Sequence, residues 1–449
     1  MNSKKEGKDL TQGNLLRNML MVFFPLLLTN ILSSIYNFVD GIWIGKIVGE
    51  NGISVSVNVY PILFTTAAVG HGLAIGTSVL VSQHFGAKNN NKIRQVVKVS
   101  IIATVCIGFI INLIMGLTSG LWLKIIGTPG EIWNQTISYA IIYLVAYFLN
   151  FIMMNIMESI RAIGNSRVPI IFVTITTTLN IILDPILLKT PLGINGAAIA
   201  TLISIAIGLI IAGIYVNTKS QLLNWNFKGI QFDKELLRKF LKVGVPIVLQ
   251  EWSMGMVLLL EVRVSNETGV EGSASYGVVN KLEQIISIMS ASFKSMVTIF
   301  VGQFIGDKKI DETKQILLKS LGMSLITFVV IGLLVYVFPY QLCSIFISNG
   351  AVIASAVLFL RLMGIHFMCA NPRNALRGFI AGTGHTKVLF IASIVSGIVE
   401  IICVFIFKKF GMNNLVIIGL ANLIHMFVDT SISLAYYFSK KWKESIIDN

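Results

Sequence analysis

The sequence predicts an all-α integral membrane protein, with twelve transmembrane helices in two pseudo-symmetric six-helix bundles. Three observations predict it. The first is composition: of 449 residues, 55% are hydrophobic and only 12% charged, with a mean hydropathy of +0.79. A soluble domain carries about 25% charged residues. The second is a series of about twelve apolar runs, each roughly 20 residues or longer and so able to cross a bilayer. The third is internal repetition. Val81-Ser82-Gln83-His84-Phe85-Gly86-Ala87-Lys88 aligns with Val301-Gly302-Gln303-Phe304-Ile305-Gly306-Asp307-Lys308 at an offset of 220 residues (301 − 81), and Gly164-Asn165-Ser166-Arg167 meets Gly384-His385-Thr386-Lys387 at the same offset. Leu15-Leu16-Arg17 meets Leu236-Leu237-Arg238, and Pro25 meets Pro246, at 221 (246 − 25).

In chain order the expected spans are 19–44, 56–83, 96–117, 136–160, 168–188 and 196–216 in the first copy. The second copy gives 237–262, 274–301, 316–338, 354–379, 387–407 and 415–438. The first run is too long for the apolar region of a signal peptide and lacks a small-residue cleavage site, so it is expected to stay in the mature chain. Leu121–Pro129, with Trp122, Lys124 and Gly127, reads as a short interfacial helix and turn. The long polar stretch from Asn217 to about Asp233 separates the copies. The expected division is therefore an N-terminal lobe at 1–222, a cytoplasmic linker at 223–235 and a C-terminal lobe at 236–449. Six helices per copy, an even number, leave both copies in the same orientation, related by an axis along the membrane normal.

The net charge of +14 is a topology signal rather than a nucleic-acid footprint. With loops numbered alternately from a cytoplasmic N-terminus, 26 of the 35 Lys and Arg fall on the inside and six (Lys46, Lys124, Lys189, Arg263, Lys408 and Lys409) on the outside. Cytoplasmic loops carry such an excess, which puts both termini in the cytoplasm. Cys106, Cys343, Cys369 and Cys403 lie in or beside apolar spans with no metal spacing and read as packing residues. The histidines of the spans, His71, His84, His366 and His425, read as hydrogen-bonded helix residues.

Ionisable residues inside the hydrocarbon are costly and point to function. On the first span Asn30, Ser33, Asn37 and Asp40 are spaced 3, 4 and 3 apart, so they share one helix face, with Tyr36 one turn before Asp40. On the fifth, Asn180 and Asp184 are one turn apart. Asp40 and Asp184 come late in outward-running helices. Tyr139 and Thr201 come early in inward-running ones. All four then lie at one depth in the outer half of the N-terminal lobe. Two neighbouring carboxylates share a proton or are bridged by a cation, and the oxygens of Asp40, Asn180, Asp184 and Thr201 also suit Na⁺. The candidate cation-coupling residues are Asp40, Asp184, Asn180, Thr201 and Tyr139. The candidates for lining a substrate cavity are Tyr36, Asn37, Glu251, Glu261, Arg361 and Glu400. In the second copy, Asp40 maps to Glu261 and Asn180 to Glu400, while Asp184 maps to Val404. That copy adds Lys281, Glu283 and Lys294, so internal ion pairing competes there with function. Gly70, Gly72 and Gly76 follow no strand and read as close-packing positions, not a phosphate loop.

Taken together, several segments resemble the multidrug and toxic compound extrusion (MATE) transporters over nearly the whole chain. They are Pro25 with Tyr36-Asn37-Phe38-Val39-Asp40, the Val81–Lys88 segment, and Arg161-Ala162-Ile163-Gly164-Asn165-Ser166-Arg167-Val168-Pro169. Asn180-Ile181-Ile182-Leu183-Asp184-Pro185, Asn280-Lys281-Leu282-Glu283 and Val301-Gly302-Gln303 complete the set. The resemblance implies twelve helices around a V-shaped central cavity and export of organic cations driven by inward H⁺ or Na⁺. It also implies a cation site in the N-terminal lobe. The sequence departs from the family in the second half, where His385 stands at a position commonly acidic. The expected protein is a monomeric antiporter of the plasma membrane, embedded in the lipid bilayer, acting on small organic substrates and using no cofactor other than the coupling ion. A flippase for lipid-linked oligosaccharides, suggested by Arg361, Lys281 and Lys294, is the alternative. A membrane enzyme would need an aspartate-rich cluster, H-E-x-x-H or a Ser/His pair at one depth, none of which the sequence contains.

Overall fold

The computed structural model describes residues 7–225 and 233–443. These residues form helices joined by turns, with no strand among them. Twelve of the helices are long and apolar enough to cross a membrane, and they lie where the twelve runs place them. They are α1 (Leu15–Ile47), α2 (Glu50–Gly86), α3 (Asn90–Ile126), α4 (Trp133–Ala162), α5 (Arg167–Leu188), α6 (Asn195–Lys219), α7 (Lys234–Asn266), α8 (Gly269–Gly306), α9 (Thr313–Val337), α11 (Gly350–Gly382), α12 (Thr386–Lys409) and α13 (Asn414–Phe438). The remaining α-helix, α10 (Pro339–Ser344), is a short piece between α9 and α11.

The helix starts follow from local chemistry. Asn14, Asn89, Asn349 and Asn413 each accept a backbone N–H of the first turn of α1, α3, α11 and α13, satisfying donors that the helix itself leaves open. The stops show the repeat in the backbone. Gly49 and Gly269, Lys88 and Lys308, and Gly164 and Gly384 are three pairs at the 220 offset, and all six residues have positive φ. Two lysines holding φ near +55° to +59° at matched positions mark a turn that the fold requires in both copies, because this region is costly for a residue with a Cβ.

Leu121–Pro129 departs from its expected form. Leu121–Ile126 is the last part of α3, which runs unbroken until Gly127 turns it off at φ +79°. Composition suggested an interfacial element, but nothing between Leu117 and Ile126 breaks a helix, and Ser119 keeps its hydroxyl on the Gly116 carbonyl at 2.7 Å. In the second copy Pro339 does break the chain, and the short α10 results.

Packing divides the chain into two compact units, Met1–Val248 with Gly302–Lys308, and Leu249–Val301 with Lys309–Asn449. This division does not follow the linker expected at 223–235, of which residues 226–232 lie outside the described residues. The start of α7 packs with the first unit, where Leu236, Phe240 and Val248 join a core containing Val69, Leu73, Val97, Phe151 and Phe172. Gly70 and Gly72 admit that packing: a Cβ on Gly70 would strike the Phe151 ring, and one on Gly72 the Val248 side chain. Within this unit α5 lies against α1 and α6, and α4 against α2, α3 and α6. The second unit's core includes Tyr276, Phe359, Phe367, Ile417 and Ile418. There α11 lies against α9 and α13, and α12 against α13. Pro25 and Pro246 both sit inside continuous helices.

Candidate functional site

The contact of α5 with α1 and α6, and of α4 with α6, brings the first unit's polar residues together. Asp184, Asn180 and Thr201 are 0–2% exposed and Tyr139 is likewise buried. Asn180 donates its amide to Asp184 Oδ1 at 3.1 Å and to Thr201 Oγ1 at 3.2 Å. The Thr201 hydroxyl donates to Tyr143 Oη at 3.3 Å and lies 2.9 Å from Tyr36 Oη. Tyr143 in turn donates to Asp40 Oδ2 at 3.2 Å. The hydrogen bonds thus run in one direction, from Tyr36 through Thr201 and Tyr143 to Asp40. Tyr139 reaches this chain through Tyr143, its ring 4.8 Å away between centroids.

Asp40 and Asp184 are close enough to interact electrostatically. Asp40 Oδ1, Asp184 Oδ2 and Asn180 Oδ1 are buried and accept from no protein donor. These three oxygens belong to side chains of α1 and α5, and two of them are carboxyl oxygens. In general, two neighbouring carboxylates share a proton or are bridged by a cation. Thr201, expected among Na⁺ ligands, already engages three side chains. No cluster of three or more His, Cys, Asp or Glu residues with metal-binding geometry occurs among the described residues.

The expected cavity-lining residues divide into separate groups. Tyr36 joins the acid site through Thr201. Asn37 is exposed on α1, its amide donated to the Ser33 carbonyl of its own helix at 3.0 Å. Glu251 lies in electrostatic range of Lys294. Arg361 is exposed, and its carbonyl accepts from Tyr336 at 3.1 Å. Glu261 and Glu400 are brought together in a second cluster, where Tyr276 and Asn422 donate to Glu261 and His425 contacts Glu400.

Comparison with known proteins follows the same two-part pattern. The MatE family model matches residues 25–186 and 246–406. The chain belongs to the MatE family. The two matched stretches begin 221 residues apart and end 220 apart, the offsets of the internal repeat. Among curated MatE relatives, the probable multidrug resistance protein YoeA of Bacillus subtilis is 29% identical over 344 residues, 74% of each chain. The multidrug export protein MepA of Staphylococcus aureus is 26% identical over 398 residues, 87% of each chain. A solved MOP superfamily transporter from Pyrococcus furiosus has the same fold, with a TM-score of 0.90 over 99% of this chain and 100% of that one, at 20% identity.

Within this MatE chain, sequence reasoning located Asp40, Asn180, Asp184, Thr201, Tyr139 and Tyr36 but passed over Tyr143, the residue that touches Asp40. The available signal was spacing: Tyr139, Tyr143 and Tyr147 recur every four residues and form one ladder on α4, with ring centroids 4.8 and 6.4 Å apart. In the second unit Asn422, His425 and Asp429 fall at i, i+3 and i+7 on α13, a single helix face, and all three contact acids or Arg377.

Proposed function

We propose that this chain is a secondary antiporter that exports organic, often cationic, drugs or metabolites in exchange for inward H⁺ or Na⁺. The observation that carries this reading is the linked polar network of Asp40, Tyr143, Thr201, Asn180 and Asp184, in which Asp40 Oδ1, Asn180 Oδ1 and Asp184 Oδ2 are buried without a protein donor. Transporters concentrate ionisable groups of this kind on their ion pathways. The multidrug names of YoeA and MepA support the substrate class. The distribution of Lys and Arg supports a plasma-membrane protein with both termini in the cytoplasm, and two repeats in one chain support a monomeric working unit.

The coupling follows from the charges. Without a cation the two carboxylates repel, and α1 and α5, which carry them, are driven apart. With a proton or Na⁺ between them that repulsion becomes attraction, so the ion biases the position of α1 against α5. The ion shifts the equilibrium between conformations only through its different affinity for each. The Tyr36–Thr201–Tyr143 chain fixes the Asp40 carboxyl and joins α1, α4 and α6 to the same event.

Purified protein in liposomes tests the reading. Ethidium transport is followed under an imposed pH gradient and, separately, a Na⁺ gradient, for wild type, Asp40→Asn and Asp184→Asn. Gradient-driven transport that both substitutions abolish is the expected result, and the effective gradient names the ion. Transport that survives both substitutions sinks the coupling assignment. Absence of cation transport under either gradient sinks drug export and turns attention to lipid-linked substrates.

A further inference from the structure

The starts of α1 and α5 frame a groove of about 530 Å³ that the acid sites do not use. Asn14, Arg17 and Arg167 give it a polar lining, and Leu20, Met21 and Phe24 an apolar one. Asn14 caps α1, and Arg167 is the first residue of α5, which lies against α1. Arg17, Leu20, Met21 and Phe24 recur at i, i+3, i+4 and i+7, so they share one face of α1. Phe24 lies about 10 Å farther along the helix axis than Arg17. The groove is therefore charged where the two helices begin and apolar where they run into the hydrocarbon. Phe24 is 60% exposed, so the fold of the first unit leaves the apolar end open.

The charged end lacks a counter-charge. Arg17 and Arg167 are exposed, and among the described residues no carboxylate pairs with either guanidinium. Lys8 joins them. Its backbone is seated on the turn between α4 and α5, where Lys8 N donates to the Ile163 carbonyl at 2.8 Å. A Cβ on Gly164 would strike the Lys8 carbonyl, and one on Gly7 the Ile163 carbonyl; both glycines have positive φ. Lys8 Nζ donates to Asn18 Oδ1 at 2.7 Å and lies 3.7 Å from Met21 Sδ in the groove wall. Both partners are neutral. Partial desolvation, and then the charges of Arg17 and Arg167, lower the Lys8 pKa from the usual lysine value, as three cations within range of one another require. Of the acids close in sequence, Asp9 accepts twice from Thr11, and Glu158 is paired with Arg161.

We propose that this groove binds one anionic phospholipid, with its phosphate among Arg17, Arg167 and Lys8 and an acyl chain along Leu20, Met21 and Phe24. Guanidinium groups match phosphate oxygens in pairs, and basic pockets between membrane helices on the cytoplasmic side bind such headgroups. The excess of Lys and Arg supports that side for the starts of α1 and α5. A soluble phosphate uses the cations and leaves the apolar face unfilled. A zwitterionic lipid brings a cation of its own to a site that is already positive. Because Arg17 belongs to α1 and Arg167 to α5, the bound phosphate ties together the two helices that carry Asp40 and Asp184. The lipid site does not depend on the antiporter reading above.

Native mass spectrometry of the full chain in detergent, titrated with phosphatidylglycerol or phosphatidylcholine, reads the lipid bound to each protein molecule. Each Lys or Arg near an anionic lipid contributes about fivefold in affinity. Arg17→Gln/Arg167→Gln is therefore expected to weaken the tightest phosphatidylglycerol by about tenfold or more, with phosphatidylcholine unchanged. Arg17→Lys/Arg167→Lys should keep most of the preference, which separates lost charge from lost fold. Phosphatidylglycerol should also raise the melting temperature of the wild type but not of the Gln variant. Phe24→Ala should weaken both lipids. Lys219→Gln/Lys314→Gln removes two exposed lysines at other helix ends and should change nothing. Wild-type phosphatidylglycerol affinity in Arg17→Gln/Arg167→Gln, or an equal loss in Lys219→Gln/Lys314→Gln, overturns the proposal. Displacement of the lipid by glycerol phosphate, a headgroup without chains, would make this a site for a soluble phosphate and overturns it as well.

Discussion

Tyr143 donates its hydroxyl to Asp40 Oδ2 at 3.2 Å. A hydrogen bond to a charged group contributes about 1.5–3 kcal/mol net, or about tenfold or more in an equilibrium. Tyr143→Phe keeps the ring packing against Tyr139 and Tyr147 and deletes this bond together with the one that Tyr143 accepts from Thr201. The expected outcome is a correctly folded protein whose gradient-driven ethidium transport, measured as an initial rate in liposomes, falls by about tenfold. An unchanged rate would reduce Tyr143 to a packing residue.

Two glycines at matched positions are predicted to be intolerant of any side chain. A Cβ on Gly86 would collide with the Gln303 carbonyl, and a Cβ on Gly306 with the Gln83 carbonyl. Backbone cannot swing aside as a flexible side chain can. The Gln303 side chain is also fixed, accepting from Leu10 N at 3.0 Å and donating to the Ala162 carbonyl at 2.8 Å. Overpacking of this kind costs about 1–3 kcal/mol. Gly86→Ala and Gly306→Ala should each lower the melting temperature in detergent, whereas Gly322→Ala, where a Cβ meets nothing within 4 Å, should not.

The contrast between such positions and the acid sites explains what was legible in the sequence. Asp40, Asn180 and Asp184 could be found because charge in an apolar run is expensive and because span counting fixes depth. Glu261 and Glu400 were legible through the repeat. Tyr143, Asn422 and His425 were not, since a tyrosine or amide in a membrane helix reads equally well as packing until the rotation of that helix about its axis is known. The Arg377–Asp429 pair was hidden for the same reason: the second copy's spans offer Glu251, Glu261, Glu283, Glu400 and Asp429 as partners for an arginine, and only packing of α11 on α13 selects Asp429. The end of α3 was misread because composition reports polarity, whereas helix continuation depends on the absence of a breaker before Gly127.

The buried ion pair of Arg377 with Asp429 should be asymmetric under mutation. Arg377 is 3% exposed and Asp429 is fully buried, and Arg377 also donates to Ser393 at 3.3 Å. Removing one partner leaves an uncompensated charge and costs about 3–5 kcal/mol, whereas replacing both with apolar residues is often close to neutral. Asp429→Ala alone is expected to give little folded protein. Arg377→Met/Asp429→Leu should recover most of the folded yield, measured by size-exclusion chromatography and thermal melting. Equal damage from the single and double variants would show that the pair does more than neutralise itself.

Asp233 opens α7 from outside the membrane and gives a prediction with a pH sign. Its Oδ1 accepts from Glu235 N at 3.0 Å and Leu236 N at 3.1 Å, and its Oδ2 takes Lys92 Nζ at 3.2 Å. The Leu236 N–H, and then Lys92, hold its carboxyl below the usual aspartate range. A carboxyl lowered in the folded state adds stability that is full above the unfolded value near 3.8 and is lost as pH falls through the folded value. The exposed pair with Lys92 adds little, so the cap carries most of the effect, about 1 kcal/mol. At neutral pH Asp233→Ala should speed hydrogen exchange at the Glu235 and Leu236 amides by about fivefold, while Asp233→Asn, which keeps a capping oxygen, should change it far less. Below about pH 3, near and below the range where aspartates lose their charge, the wild-type advantage over Asp233→Ala should shrink. An advantage that persists unchanged into acid would mean that the carboxylate charge contributes nothing to the start of α7.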